Sequence, residues 1–340
     1  MQAQRNLPLR SLNTFGIAGT AALAWTLEET QQLDALVDGL AGRTAFILGG
    51  GSNVLFARDL HEPVVLVRLA GRRVLDDDGM TILLEVGAGE SWDATVRHTL
   101  SQGWYGLENL SLIPGLAGGA PWQNIGAYGV EVAELIETVQ AVHLGTGERR
   151  SFSAPDCDFG YRSSFFKSPA GSRWLVTSIC LRLSREPNSR IGYGEIQQEL
   201  LAMGATAPPT PQQVAAAVRS IRRRKLPDPA VLGNAGSFFK NPVLRCDDAE
   251  PLRIAFPQMA VYPMPGDAAR VKLPAAWLIE SGGWKGFREG DAGVSAQHAL
   301  VLVNHGTATG GQMLALARRI QQSVLDRFGI GLEPEPVIVA

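Results

Sequence analysis

A serine held between small residues, followed by two aromatics, a lysine and an asparagine-proline stop, makes up the segment Gly233-Asn234-Ala235-Gly236-Ser237-Phe238-Phe239-Lys240-Asn241-Pro242. The chemistry open to it is that of a hydroxyl presented at the lip of an apolar cleft. Gly236 permits a left-handed or closely approached backbone, Phe238 and Phe239 supply dry walls, and Asn241-Pro242 ends the run in a turn. No GxSxG elbow and no Ser/His/Asp order accompanies Ser237, so an acyl nucleophile is not indicated. A hydroxyl without a base partner suits proton donation instead. The alternative is a glycine turn feeding a half-buried strand, with the serine satisfied by backbone.

Three other groups could share such a site. Arg162 stands beside Tyr161 in Asp158-Phe159-Gly160-Tyr161-Arg162-Ser163-Ser164 and can fork onto a carboxylate, or else sit on the surface. Lys225 closes the basic run Arg222-Arg223-Arg224-Lys225 and precedes the rigid Leu226-Pro227-Asp228-Pro229. One or two of these cations are placed to meet a phosphate; the others are a solvated helix end opposing the macrodipole. Glu333 and Glu335 flank Pro334 ahead of the final apolar strand, where at most one of the pair is expected to face a cleft and the alternative is a solvent-exposed acidic pair.

Two glycine-rich loops suggest what that site holds. Gly49-Gly50-Gly51-Ser52-Asn53 follows a strand, where backbone N–H groups often cradle phosphate. It is neither GxGxxG nor a P-loop, and Val54-Leu55-Phe56 does not read as the helix a dinucleotide turn requires. The second loop, Gly106 to Gly129, is long and poor in charge, with Gly115, Gly118 and Gly119 followed by Gln123-Asn124-Ile125-Gly126-Ala127-Tyr128. Bare backbone and amide side chains suit a large, flat, hydrogen-bonding ligand joined to a pyrophosphate, for which a flavin dinucleotide is the candidate. A structural Ω-loop packed on its own side chains is the other reading.

The elements that must position these groups follow from patterning. Thr26-x-x-Glu29 reads as a capping box ahead of Leu33, Leu36, Val37 and Leu40, then strands over Thr44 to Leu48 and Pro63 to Leu69. Residues 71–185 are strand-rich, with runs around Ile82, Val139 and Trp174 and one helix from about Ser91 to Gln102. The proline-rich Ala205 to Pro211 reads as a linker, after which Thr210-Pro211-Gln212-Gln213 caps a helix bearing Val214, Ala217, Val218 and Ile221. A last helix runs from about Gly311 to Phe328, and Pro336 to Val339 is strand-like. The expected domains are 1–70 and 71–204 as cofactor subdomains, 205–330 for substrate, and 331–340 as a strand returning to the active site.

Composition narrows the class. A chain of 340 residues with 45% hydrophobic and 19% charged residues is an ordinary globular enzyme of two or three subdomains. Its formal charge is −2, from 31 basic and 33 acidic residues, so no nucleic acid or anionic membrane is expected as a partner. Cys157, Cys180 and Cys246 are odd in number and widely spaced, and the five histidines lack metal spacing, so neither a disulfide framework nor a metal site is expected. With no apolar signal core and no run of ~20 apolar residues, the expected home is the reducing cytoplasm.

With these segments assembled, the chain resembles the UDP-N-acetylenolpyruvoylglucosamine reductases, the MurB family of peptidoglycan synthesis. The resemblance runs in order through Asn13-Thr14-Phe15-Gly16, Gly49 to Asn53, Ile113-Pro114-Gly115 through Gly129, Gly160-Tyr161-Arg162, Tyr193-Gly194, Lys225 to Pro229, Gly236 to Pro242 and Leu332-Glu333-Pro334-Glu335. It implies an α+β chain: a two-subdomain FAD-binding fold of the vanillyl-alcohol-oxidase (PCMH) type plus a C-terminal α/β substrate-binding domain. It implies non-covalent FAD, NADPH as co-substrate, and reduction of UDP-N-acetylglucosamine enolpyruvate to UDP-N-acetylmuramate by a monomer. By the same resemblance Arg162, Glu335 and Ser237 are catalytic, Ser237 as the proton donor to C2. Gly49, Gly50, Gly51, Ser52, Asn53, Ile113, Pro114, Gly118, Gly119, Gln123, Asn124, Ile125, Gly126, Ala127, Tyr128 and Arg222 would meet FAD. Tyr161, Tyr193, Lys225, Asn241, Tyr262 and His298 would meet the nucleotide substrate, Tyr262 as the closing loop tyrosine of the longer form. Trp122 and His298 depart from residues common in the family. A flavin oxidase of the same fold is the rival reading.

Overall fold

The computed structural model describes residues 2–205, 207–264 and 266–340. The chain forms two compact units: the first comprises residues 1–7, 20–51 and 60–223, the second residues 8–19, 52–59 and 224–340.

In the first unit, strands Gln4–Pro8, Thr20–Leu27, Val64–Val67 and Phe46–Leu48 lie side by side in that order across one sheet. The pairs of Thr20–Leu27 and Phe46–Leu48 with Val64–Val67 are parallel. Val64–Val67 is buried at every position, as a strand covered on both faces must be. A second sheet of five strands runs Arg149–Ser153, Ile136–His143, Trp174–Ser184, Thr81–Gly87, Arg72–Asp77. Its pairings are antiparallel, and Thr81–Gly87 alternates buried and half-buried residues. Its edge strand is bulged between Val74 and Asp76. Trp25, Trp92, Phe152, Phe166 and the branched residues of both sheets form one core.

The helix Trp92–Ser101 is capped by Ser91, whose hydroxyl accepts from the Ala94 N–H, in keeping with the pattern. The box at the first helix lies elsewhere than expected. Thr26 is inside the strand Thr20–Leu27, and the reciprocal box joins Glu29 to Gln32 ahead of Leu33–Leu40. The misreading has a simple cause: Glu29 is the cap itself, three residues before Gln32, and not the far member of a box begun at Thr26.

At Pro211–Lys225 the expected box forms, Thr210 Oγ1 accepting from Gln213 N–H while Gln213 Oε1 accepts from Thr210 N–H. This helix nevertheless belongs to the first unit as far as Arg223, packing Val214, Ala217, Val218 and Ile221 against Ile196 and Leu200. The latter pair comes from the helix Gly194–Ala202. The expected linker includes Thr206, which lies outside the described residues.

In the second unit, strands Gly233–Ser237, Val301–Asn304, Ala292–Val294 and Arg288–Glu289 form an antiparallel sheet in that order. Val243–Arg245, Asp267–Lys272 and Tyr262–Met264 form a smaller one. Val54–Phe56 is a strand, as its failure to read as a helix requires, and pairs in parallel with Val337–Val339. The helix Gly310–Phe328 begins with the Thr309/Gln312 capping box and stops at left-handed Gly329. Gly310 is obligatory, because a Cβ there would lie 1.8 Å from the Phe56 carbonyl oxygen. Phe15, Phe238 and Phe239 are buried, with ring centroids 6.2 Å apart for Phe15–Phe238 and 5.1 Å for Phe238–Phe239.

Candidate active site

In the first unit, glycines let the two cofactor loops meet. A Cβ on Gly50 would lie 3.1 Å from Gly115 Cα, and one on Gly118 would lie 2.6 Å from the Ala88 Cβ. Gly119 differs from its neighbour: a Cβ there meets nothing within 4 Å. Arg68 steadies the first loop by donating to the Gly49 carbonyl at 3.2 Å.

The second loop carries backbone strain. Leu112, Asn124 and Tyr128 have φ of 60°, 46° and 49°, the left-handed region that side chains rarely occupy. Such residues persist only where their surroundings over-determine them. For Asn124 the cause is visible: its Nδ2 donates to Glu131 at 2.8 Å and to the Gly160 carbonyl at 3.1 Å, while Oδ1 accepts from the Ala133 N–H. The amide expected to face a ligand is thus committed to the protein. Ile125 is buried in the core. Ile113, Gln123, Gly126 and Ala127 are half-buried, and Pro114 is exposed.

Arg162 sits at the second position of a two-residue turn closed by Gly160–Ser163 backbone bonds, with φ 53° where glycine is ordinary. Its Nη2 donates to the Gly126 carbonyl at 2.9 Å and its guanidinium lies over the Tyr161 ring at 5.4 Å. The arginine therefore fastens the loop while it remains a cation beside it. Trp122 takes the ammonium of Lys167 over its ring at 4.8 Å.

Arg222 is half-buried, and its Nε is sealed from solvent with no hydrogen-bond partner among the described residues. Burial foremost, and the like charge of Arg162, push its pKa below the usual guanidinium value, against the pull of Tyr128 and Asp93. An orphaned, sealed N–H costs ~1–3 kcal/mol unless a ligand supplies an acceptor. Tyr193 heads the helix Gly194–Ala202, is 52% exposed, and packs edge-on against Tyr128 at 5.8 Å.

In the second unit, the serine segment is built by a bulge. Pairing with Val301–Asn304 shifts by one residue between Asn234 and Ser237, and Gly236 takes φ 70° with its N–H donating to Asn234 Oδ1 at 2.9 Å. A glycine in this region at a bulge re-aims the next side chain. The Ser237 hydroxyl makes no hydrogen bond among the described residues. Glu335 is brought to the same strand end: its N–H donates to the Phe238 carbonyl at 2.8 Å, and Phe239 bridges Pro334. Lys240 pairs with Glu333, and Asn53 Nδ2 donates to the Glu335 carbonyl at 3.3 Å. The two carboxylates thus have separate fates, with Glu333 the exposed one.

The substrate-side residues are more dispersed. Lys225 ends its helix, and Asn241 Oδ1 accepts from the Ala275 N–H at 3.0 Å. His298 Nδ1 accepts from the Leu300 N–H at 3.2 Å, which puts the proton of a neutral ring on Nε2. Tyr262, expected in a loop, begins the strand Tyr262–Met264 opposite Lys272 and is 49% exposed. Sequence reasoning missed Asn13, whose buried amide donates to the carbonyls of Leu9 and Ile17 and accepts from the Ile17 N–H. It missed Asp93 and Asn109 as well. Asn13 stood in a recognised segment without a role of its own, and Asp93 and Asn109 find partners far along the chain, Leu112 and Arg219 for Asp93 and the Tyr128 and Arg190 carbonyls for Asn109.

These features fit a flavin dinucleotide: closely approached bare backbone, an open glycine, and a sealed arginine N–H lacking an acceptor. Residues 22–153 match the FAD binding domain family, which places the chain among FAD-dependent oxidoreductases. Residues 228–339 match the C-terminal domain of UDP-N-acetylenolpyruvoylglucosamine reductase. The chain belongs to the UDP-N-acetylenolpyruvoylglucosamine reductase family. The reductase of Chromobacterium violaceum is 52% identical over 342 residues, covering 100% of this chain and 99% of its own. That of Pseudomonas putida is 48% identical, covering 99% and 98%. The crystal structure of the reductase MurB from Thermus caldophilus is 27% identical, with a TM-score of 0.67 and full coverage of both chains.

Proposed function

We propose that the protein reduces the enolpyruvyl group of UDP-N-acetylglucosamine enolpyruvate with electrons from NADPH, giving UDP-N-acetylmuramate. When bound, FAD supplies the hydride chemistry between NADPH and the substrate carbon C3. Gly49 to Asn53, Ile113, Pro114, Gly118, Gly119 and Gln123 to Tyr128 hold it chiefly through backbone, with Arg222 supplying an N–H donor.

Electron density pushed towards the substrate carboxylate must be stabilised by fixed donors. Arg162 supplies the cation, and Glu335 in its protonated form a second donor. Ser237 then gives its proton to C2, which balances the hydride added at C3. A serine hydroxyl is a weak acid, so orientation must carry much of the effect. Tyr161, Tyr193, Lys225, Asn241, Tyr262 and His298 bind the nucleotide and its diphosphate.

The observation that carries this reading is the bulge at Asn234–Ser237, which presents a hydroxyl with no hydrogen-bond partner among the described residues. Anaerobic half-reactions test it. Ser237→Ala should leave bleaching of the flavin by NADPH within about twofold and slow the return of colour on adding the enolpyruvyl nucleotide by at least ~100-fold. Equal loss of both halves refutes the proton-donor role. Colour returning only with O₂ in the unmodified protein supports an oxidase instead.

A further inference from the structure

We infer that Asp93 is a positioning residue for the cofactor loop, holding Leu112 in its left-handed conformation and tying the loop to the helix that carries Arg222. The inference rests on the FAD reading given above.

Asp93 lies in the first turn of the helix Trp92–Ser101. Its Oδ1 accepts from the Leu112 N–H at 2.7 Å and from the Arg219 guanidinium, and Arg97 approaches its Oδ2 at 3.4 Å. One neighbour on the same turn, Trp92, grips the loop on either side. Trp92 donates its indole N–H to the Leu110 carbonyl at 3.0 Å and its backbone N–H to the Gly115 carbonyl at 3.1 Å. Leu112, between these two fixed points, has φ 60°. An unbranched glycine would accept that conformation freely, whereas leucine adopts it only against a penalty, so the carboxylate is what keeps it there.

Arg219 is three residues before Arg222 on Pro211–Lys225, a spacing that puts both on one helix face. Asp93 also raises the pKa of Arg222 through its charge, against burial. One carboxylate therefore sets the path of the loop just before Ile113-Pro114-Gly115 and fixes the helix whose arginine lacks an acceptor.

The test uses the full-chain holoprotein, with FAD release on dilution followed by the return of free-flavin fluorescence. Asp93→Ala should weaken FAD binding by roughly 10- to 100-fold, the range a lost charged hydrogen bond and a relaxed left-handed residue give together. Asp93→Asn keeps an acceptor oxygen for Leu112 and should lose less than ~5-fold. The deciding variant is Leu112→Gly in the Asp93→Ala background. Glycine holds φ near 60° without help, so the double variant should regain most of the lost affinity, which a charge pair with Arg219 alone would not allow. Unchanged affinity in Asp93→Ala overturns the inference, as does failure of Leu112→Gly to restore it. An unmodified protein that takes up no FAD overturns the FAD reading as well, and is told apart by the absence of flavin before any substitution is made.

Discussion

Adjacent glycines with opposite surroundings give the sharpest test of the cofactor loop. Gly118→Ala places a methyl carbon 2.6 Å from the Ala88 Cβ and 3.1 Å from its Cα and carbonyl oxygen. Ala88 cannot recede, because its N–H is bonded to the Thr177 carbonyl and its carbonyl accepts from the Gly118 N–H. Overpacking of this kind costs ~1–3 kcal/mol. At ~2–4 °C per kcal/mol for a domain of ~200 residues, the flavin-free protein should melt roughly 2–12 °C lower. Gly119→Ala meets nothing within 4 Å, and Gly119 does not have positive φ. Alanine there should leave the melting temperature of the flavin-free protein unchanged or raise it by up to ~4 °C, through the lower entropy of the unfolded chain. The same variant should bind FAD at least ~10-fold more weakly, because the bare backbone reserved for the cofactor now carries a methyl group. Thermal unfolding of flavin-free protein and flavin titration read the two effects separately. A Gly119→Ala protein that keeps wild-type FAD affinity, or that melts as early as Gly118→Ala, refutes the reasoning.

Other outcomes follow from the same structure. Gly236→Ala should cost about 1 kcal/mol, from the left-handed backbone alone since the space is open, and should slow substrate reduction more than NADPH oxidation; chemical denaturation and half-reaction kinetics check this. Asn13→Ala removes three buried hydrogen bonds and should lower stability by ~2–4 kcal/mol in a denaturant titration. Burial pushes the Cys157 and Cys180 thiols from 9.0 up to about 12 and about 11. The folded state thus favours their neutral form: this stability is intact below pH ~9 and is lost as pH rises towards 11–12, because the unfolded chain sheds those protons first. A thiol reagent at neutral pH should label one cysteine, Cys246, until the protein unfolds.

Much of the arrangement was legible because it rests on local signals. The box at Thr210, the stop at Gly329, and the glycine-for-φ logic at Gly236 all act within a few residues. What escaped is non-local. The amide of Asn124 looks like a ligand donor in sequence, yet Glu131, Ala133 and Gly160 consume it. Asp93 reads as a helix-start acid, and only the fold reveals that it holds a residue 19 positions away. The helices Cys246–Ala255 and Ala275–Ser281 gave no strong pattern, the first because Pro251 interrupts it and the second because it is only seven residues long. The helix Pro211–Lys225 begins after prolines that resemble a boundary, but its apolar face finds partners in residues already synthesised.

The strand pair Val54–Phe56 and Val337–Val339 has a consequence for biosynthesis. Three chain pieces make the second unit, and the one that completes this pair comes long after the strand it covers. Until that later piece is made, a nascent chain carries a wholly apolar strand with an open edge, the kind of segment that recruits wrong partners. Synthesis of Val337–Val339, rather than emergence of any domain, ends that exposure, so a chain lacking this strand should become a chaperone client.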